Sequence, residues 1–242
     1  MNRIRAGLVG LLSAAFLSLA TGPALAQTSD SNTEALIWEL NGELLAVAIP
    51  ITILVEVILF YTVWRFRSSN VEEAKPTKEN RRLEITWTVA TAIILLFVGV
   101  GAYLTLALPA VGAANPSEDG NDDVDLEVQA TAQQFVWTFE YPNHNVSVMS
   151  NSGELVLPKD ETVRFNVSSR DVIHAFHVPD LGLKSDAFPD GSNYIQTTIN
   201  NEGKYQLYCA EYCGSGHSQM MGTVNVTDQE TFETWIENQQ EG

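Results

Sequence analysis

Cysteine is nearly absent from this chain of 242 residues: there are two, Cys209 and Cys213. A small secreted fold stapled by disulfides needs more of them, spread along the sequence. That architecture is excluded, and the close pair points to local chemistry. Basic residues are almost as scarce in the C-terminal part. From Pro109 onward there are five (Lys159, Arg164, Arg170, Lys184, Lys204) against 21 acidic residues, so this part carries -16 of the formal net charge of -17. Such a surface repels nucleic acid and anionic lipid headgroups, and no nucleic-acid partner is expected. Two readings of the acidity stand side by side: a face that steers a basic protein partner, or a surface suited to very high salt. The spread of the acids over the whole segment favours the second.

Charge of either sign is missing from Ile85 to Leu108, and the run from Leu44 to Trp64 has a single ionisable residue, Glu56. About 20 apolar residues cross a bilayer core as a helix, so both runs are expected to span, 44–64 first and 85–108 second. Glu56 has two readings, a functional carboxylate or a polar contact with a partner subunit. Residues 65–84 between the runs hold Arg65, Arg67, Lys75, Lys78, Arg81 and Arg82, whereas Gln27 to Glu43 has no basic residue. The loop is therefore expected in the cytoplasm, with both flanking segments outside. Residues 1–26 (Arg3 and Arg5, an apolar run from Leu8 to Ala20, then Ala24-Leu25-Ala26) have the three parts of a cleavable signal peptide.

Residues 109–123 read as a linker rich in Gly, Ala, Asn and acids, and after them the period becomes that of strands. Val124 to Ala132, Phe135 to Tyr141, Thr162 to Ser168, Tyr194 to Ile199, Tyr205 to Tyr208 and Thr223 to Val226 are separated by Gly, Pro, Asn and Asp clusters. A small antiparallel sandwich or barrel is expected over 124–242. Thr227-Asp228 can cap a last short helix with Phe232, Trp235 and Ile236 on one face.

The chemistry is concentrated in Cys209-Ala-Glu-Tyr-Cys213-Gly-Ser-Gly-His217-Ser-Gln-Met220, with Asp171-Val-Ile-His174 upstream. Thiolate, imidazole and thioether together suit copper better than calcium or magnesium. One thiolate with two His and a Met would suit a single blue copper; two thiolates can bridge two metal ions. A disulfide between Cys209 and Cys213 would close too small a loop to constrain the unfolded chain, and would leave the His and Met unexplained. A zinc site of two Cys and two His is chemically possible but gives Met220 and Glu211 no role.

The pattern C-x-E-x-C-x-x-x-H-x-x-M with an upstream D-V-x-H resembles the copper A motif of the cytochrome c oxidase subunit II family. The likeness extends to the two-helix anchor, to Leu83-Glu84-Ile85-Thr86-Trp87-Thr88, to Gln134-Phe-Val-Trp-Thr-Phe-Glu-Tyr141 and to Leu181-Gly-Leu-Lys-Ser-Asp-Ala-Phe-Pro189. It implies a mainly β, cupredoxin-like Greek-key sandwich on an N-terminal two-helix transmembrane hairpin. Two coppers would be bridged by Cys209 and Cys213, with His174 and His217 on one copper each and Met220 and the Glu211 carbonyl as weaker ligands. It also implies a magnesium ion at the Glu211 carboxylate, shared with subunit I, and Glu84 at the mouth of a proton-uptake channel. The implied role is that of subunit II in a proton-pumping oxidase of the plasma membrane, with subunit I (haem and copper) and subunit III as partners and the copper domain outside. Phe135 stands where many members have the tryptophan that receives the electron. His174-Ala-Phe176 and Pro189-Asp-Gly191 also depart, in the manner of divergent, including archaeal, branches. The donor is then cytochrome c or a small blue-copper protein, reaching the site by atoms around His217. His144 and His177 match no ligand position. A quinol oxidase subunit would have no use for the full ligand set, and a copper carrier none for the two-span anchor.

Overall fold

The computed structural model describes residues 29–67, 69, 78–108, 110–112 and 124–241; the signal peptide expected over 1–26 lies outside them. Helix α1 runs Asn32–Arg65 and helix α2 Arg81–Leu106, both long and apolar enough to cross a membrane. Helix α1 starts well before the apolar run at Leu44 because Ser31 caps it, its side chain accepting from Glu34 N. This extension was not legible as helix because Asn32, Glu34, Glu39, Asn41 and Glu43 break up its apolar residues, although Leu36, Leu40 and Leu44 recur at helical spacing. The helices pack on each other, Leu40 of α1 meeting Gly101 of α2, and Leu36, Leu40, Leu44 and Val47 on α1 and Val98, Gly101, Ala102 and Thr105 on α2 are half-buried. Beyond these residues their apolar side chains are exposed, as lipid- or partner-facing surface is.

Ten strands follow: β1 Leu126–Gln133, β2 Val136–Tyr141, β3 Val146–Met149, β4 Leu155–Pro158, β5 Thr162–Ser169, β6 His174–Val178, β7 Leu183–Ala187, β8 Asn193–Thr198, β9 Gly203–Cys209 and β10 Met221–Thr227. They form two five-stranded sheets, ordered β3-β2-β1-β5-β8 and β4-β10-β9-β6-β7. β1 with β5 and β4 with β10 are parallel, so the sandwich is mixed rather than purely antiparallel. Strict alternation in β1 and β2 buries Val128, Ala130, Trp137, Phe139 and Tyr141 between the sheets. From the second sheet Phe176, Leu207 and Val224 meet them. The buried Tyr141 hydroxyl joins the sheets, donating to Val156 O and accepting from Val156 N. Burial raises its pKa, so it stays a neutral donor. Helix α3, Gln229–Glu241, closes one end, burying Phe232 and Ile236. Two face-to-face sheets with crossed connections and a loop-borne cluster of sulfur and imidazole groups at one end define a cupredoxin-like sandwich on a two-helix anchor.

Candidate metal centre

Two antiparallel strands bring the sequence-distant groups together. β6 begins at His174 and β9 ends at Cys209, with Phe176 opposite Cys209 in register. The loop from Ala210 to Met220 leaves β9 and returns into β10, and its base is closed by Cys209 N donating to Met220 O. Ala210 N donates to Ala175 O, tying the loop's first residue to β6. The loop is therefore held at both ends by the sheet that carries His174.

Within it the Cys209 and Cys213 sulfurs are 3.9 Å apart. A disulfide needs about 2.05 Å, so the pair is not bonded. His174 Nδ1 lies 3.8 Å from the Cys209 sulfur and His217 Nδ1 3.6 Å from that of Cys213. The Met220 sulfur is 3.9 Å from Cys213 Sγ, and the Glu211 carbonyl 3.1 Å from Cys209 Sγ. Each imidazole thus flanks one sulfur of a central pair. Donor atoms of His174, Cys209 and Cys213 all lie within 4.8 Å of one another. Burial, reinforced by neighbouring Cys209, pushes the Cys213 thiol up to about 11. Two buried thiols facing each other are poorly served by the protein alone. A soft cation between them would hold both as thiolates, and the residues present fit that need.

Asp171 orients the first imidazole. Its carboxylate accepts from His174 Nε2 at 2.8 Å, which leaves Nδ1 bare toward the sulfurs. Burial would raise the Asp171 pKa, yet hydrogen bonds from Gln134 N, His174 and Val172 N outweigh it and hold the carboxyl below its ordinary value. Edge contact with Trp137, at 6.3 Å between centroids, walls His174 on another side. The Gln134 side-chain amide donates to Cys213 O, and Phe135 beside it packs on the loop at Gly214, whose φ of 130° suits glycine. Asp171 stood in the sequence cluster without a role. The sequence shows Gln134 and Trp137 only as part of the family likeness, since they reach the site from the β1–β2 turn and from β2, across the sandwich.

The remaining candidates are separate from this cluster. Glu84 is exposed in the first turn of α2, and Glu56 is exposed on α1. His177 Nδ1 bonds the Leu183 carbonyl at 2.8 Å, and His144 lies edge-on to Phe232, so neither joins the centre. Glu211 and Tyr212 point outward from the ligand loop, with Tyr212 tilted against His217 at 5.9 Å.

Fold and site together define a membrane-anchored cupredoxin-like domain with a paired-sulfur centre able to hold metal. Comparison with known proteins assigns the lineage. Residues 144–227 match the family model of the cytochrome c oxidase subunit II periplasmic domain, and residues 20–104 that of its transmembrane domain. Cytochrome c oxidase subunit 2 of Cereibacter sphaeroides is 28% identical over 251 residues, covering 89% of this chain and 80% of that one. The probable cytochrome c oxidase subunit 2 of Rickettsia bellii (strain RML369-C) is 30% identical over 211 residues, covering 80% and 75%. Among solved structures, the periplasmic domain of subunit II of cytochrome oxidase from Bradyrhizobium japonicum is 28% identical with a TM-score of 0.48, covering 50% of this chain and 96% of that one. The chain belongs to the cytochrome c oxidase subunit II family. It is a membrane protein with a periplasmic domain.

Proposed function

We propose that this chain is the electron-accepting subunit of a proton-pumping terminal oxidase. In this reading Cys209, Cys213, His174, His217, Met220 and the Glu211 carbonyl would together hold two copper ions. The observation that carries this is the sulfur pair at 3.9 Å with an imidazole on either side. Copper held there would supply one-electron transfer between a soluble donor and the haem and copper of subunit I, where oxygen is reduced. The chain's own part is to hold its ligands still. Cys209, Cys213, His174 and Met220 are buried in a sandwich that cannot easily shift them, and small rearrangement on redox change makes transfer fast.

The relatives' name, a subunit of an oxidase, supports a membrane partner carrying the haem, and subunit III completes the assembly. Glu211 and Tyr212, outward on the ligand loop, are the groups offered to that partner, with the Glu211 carboxylate holding magnesium at the interface. Glu84 sits where the apolar span of α2 begins, suited to proton uptake from the cytoplasm. The spans are 44–64 and 85–108, the loop 65–84 is cytoplasmic, and 124–242 lies outside the plasma membrane beyond the linker 109–123. The donor, cytochrome c or a small blue-copper protein, docks near His217.

The test is copper content and absorption of the purified full chain in detergent. Two coppers per chain and a purple mixed-valence spectrum are expected, both lost in Cys213→Ser. A single blue copper in the unmutated chain would overturn the reading. Rapid mixing with each donor decides the route: Phe135→Ala slows reduction only modestly if the path runs by His217, and cripples it if the ring is the path.

A further inference from the structure

The connection between membrane helix and copper domain carries an arrangement that ligand binding does not use. Helix α1 begins at Asn32, 12 residues before the apolar run, so at 1.5 Å per residue it stands as a post ~18 Å above the hydrocarbon. Its tip is built into the sandwich. Ser31 is fully buried and bridges Ile199, and its one hydroxyl both accepts from Glu34 N and donates to Leu181 O. Asn32 Oδ1 accepts from Thr197 Oγ1 at 2.9 Å and from Thr198 N at 3.0 Å. The Thr33 hydroxyl lies 2.8 Å from that of Thr197, both side chains buried. Asn200 N and the Asn201 amide donate to Asp30 O and Oδ1. Gly182, at a φ of 64°, lets the chain pass so close that a Cβ there would fall 3.1 Å from the Glu34 backbone.

The position of this clasp is the informative part. Leu181 and Gly182 follow the end of β6, whose first residue is His174; Asn200 and Asn201 precede β9, whose last residue is Cys209. The clasp therefore grips the pole of the sheet opposite the sulfur cluster. Six steps of β9 separate Gly203 from Cys209, an arm of ~20 Å, over which a tilt of about 10° at the clasp moves the far end by ~3.5 Å. The other connection, 109–123, has the composition of a spacer.

We propose that residues 30–34, clasped to Leu181 and to 197–201, set the height and tilt of the copper centre over its membrane partner, and that the 109–123 linker does not. Ser31, Asn32, Thr33 and Thr197 are then positioning residues for electron transfer out of the centre. The proposal rests on the function given above, since it concerns the step from copper to haem.

The experiment uses the assembled oxidase, with copper absorption, donor-to-copper rate and copper-to-haem rate measured separately. In Ser31→Ala/Asn32→Ala the first two are expected to stay unchanged while the third slows about tenfold or more, because transfer rates fall steeply as the reacting centres are displaced from one another. A Gly-Ser-Gly insertion after Ala114 is expected to leave all three unchanged. Adding Thr33→Cys and Thr197→Cys to the clasp variant is expected to restore the third rate through a cross-link, and neither cysteine alone to do so. That rescue separates misplacement from misfolding. An unchanged copper-to-haem rate in the clasp variant, or an equal slowing by the insertion, would overturn the proposal. Absence of copper from the unmutated chain would overturn both proposals, and only that result reaches the function.

Discussion

The ring of Phe135 occupies the space that a side chain on Gly216 would need: a Cβ there would fall 2.6 Å from the ring Cγ and 2.7 Å from Cε2. The phenylalanine of the β1–β2 turn is thus seated against the loop between Cys213 and His217. Gly216→Ala must displace ring or loop. We expect it to cost about 1–3 kcal/mol, as overpacking does, and to change the copper absorption by moving His217. Phe135→Ala should relieve the conflict, so the double variant should recover part of the loss, with a coupling of about 0.5–3 kcal/mol. Strictly additive melting data for the two changes would show that the contact is not the constraint.

Asp171 holds His174 by a hydrogen bond to Nε2. Asp171→Ala frees the ring to rotate and removes the acceptor that keeps Nδ1 bare. Loss of such a supporting group typically costs about 10–100-fold in metal affinity. Copper competition titrations should show a loss of that size, with the fold retained by circular dichroism. Unchanged affinity would mean that Trp137 and the strand fix the ring alone.

The carboxylate of Asp228 caps α3, accepting from Thr231 N and Oγ1, each at 2.9 Å. Those hydrogen bonds hold its pKa below the ordinary value. A carboxyl depressed on folding stabilises fully above its unfolded pKa of about 3.9, and that contribution is lost as pH falls through the lower folded value. Asp228→Ala should therefore melt earlier than the parent at neutral pH, and the gap should narrow below pH about 4. A gap independent of pH would assign the loss to something other than ionisation.

The acidic surface makes its own prediction. Glu161 is raised chiefly by a hydrogen bond with Asp125, with burial and the charges of Asp125 and Asp160 adding, a sign of carboxylates crowding one another. Such repulsion reaches further as salt falls, the Debye length growing from about 3 Å at 1 M to about 8 Å at 0.15 M. Thermal midpoints of the full chain should drop between those salt concentrations if the surface is adapted to salt. A flat dependence would favour a docking face for a basic donor.

Strands with alternating residues were legible, because one face meets the core and the other meets water: β1, β2 and β5 lie within a residue or two of their expected bounds. β4 was not, since all four of its residues are buried and no alternation survives. β7, Leu-Lys-Ser-Asp-Ala, reads as a loop because it lies at a sheet edge with polar side chains outward. The cluster of sulfurs and imidazoles was legible because the motif is compact. What the motif could not show was its support, since Gln134 reaches Cys213 across 79 residues of sequence. The clasp at Ser31 was hidden for the same reason, its partners on the sandwich being 150 to 165 positions away.

Both sulfurs of the central pair, together with His217 and Met220, lie in one stretch of 12 residues, 209–220, while His174 comes from another strand. Closing so short a loop costs little chain entropy, and the cost grows only slowly with length. On the proposed reading, an unfolded chain would therefore offer copper most of its donors already at hand. A ligand that binds both states stabilises the folded one only by the difference in affinity. Copper would then raise the melting temperature by less than its affinity for the folded chain implies, the gain being set by what docking of His174 adds.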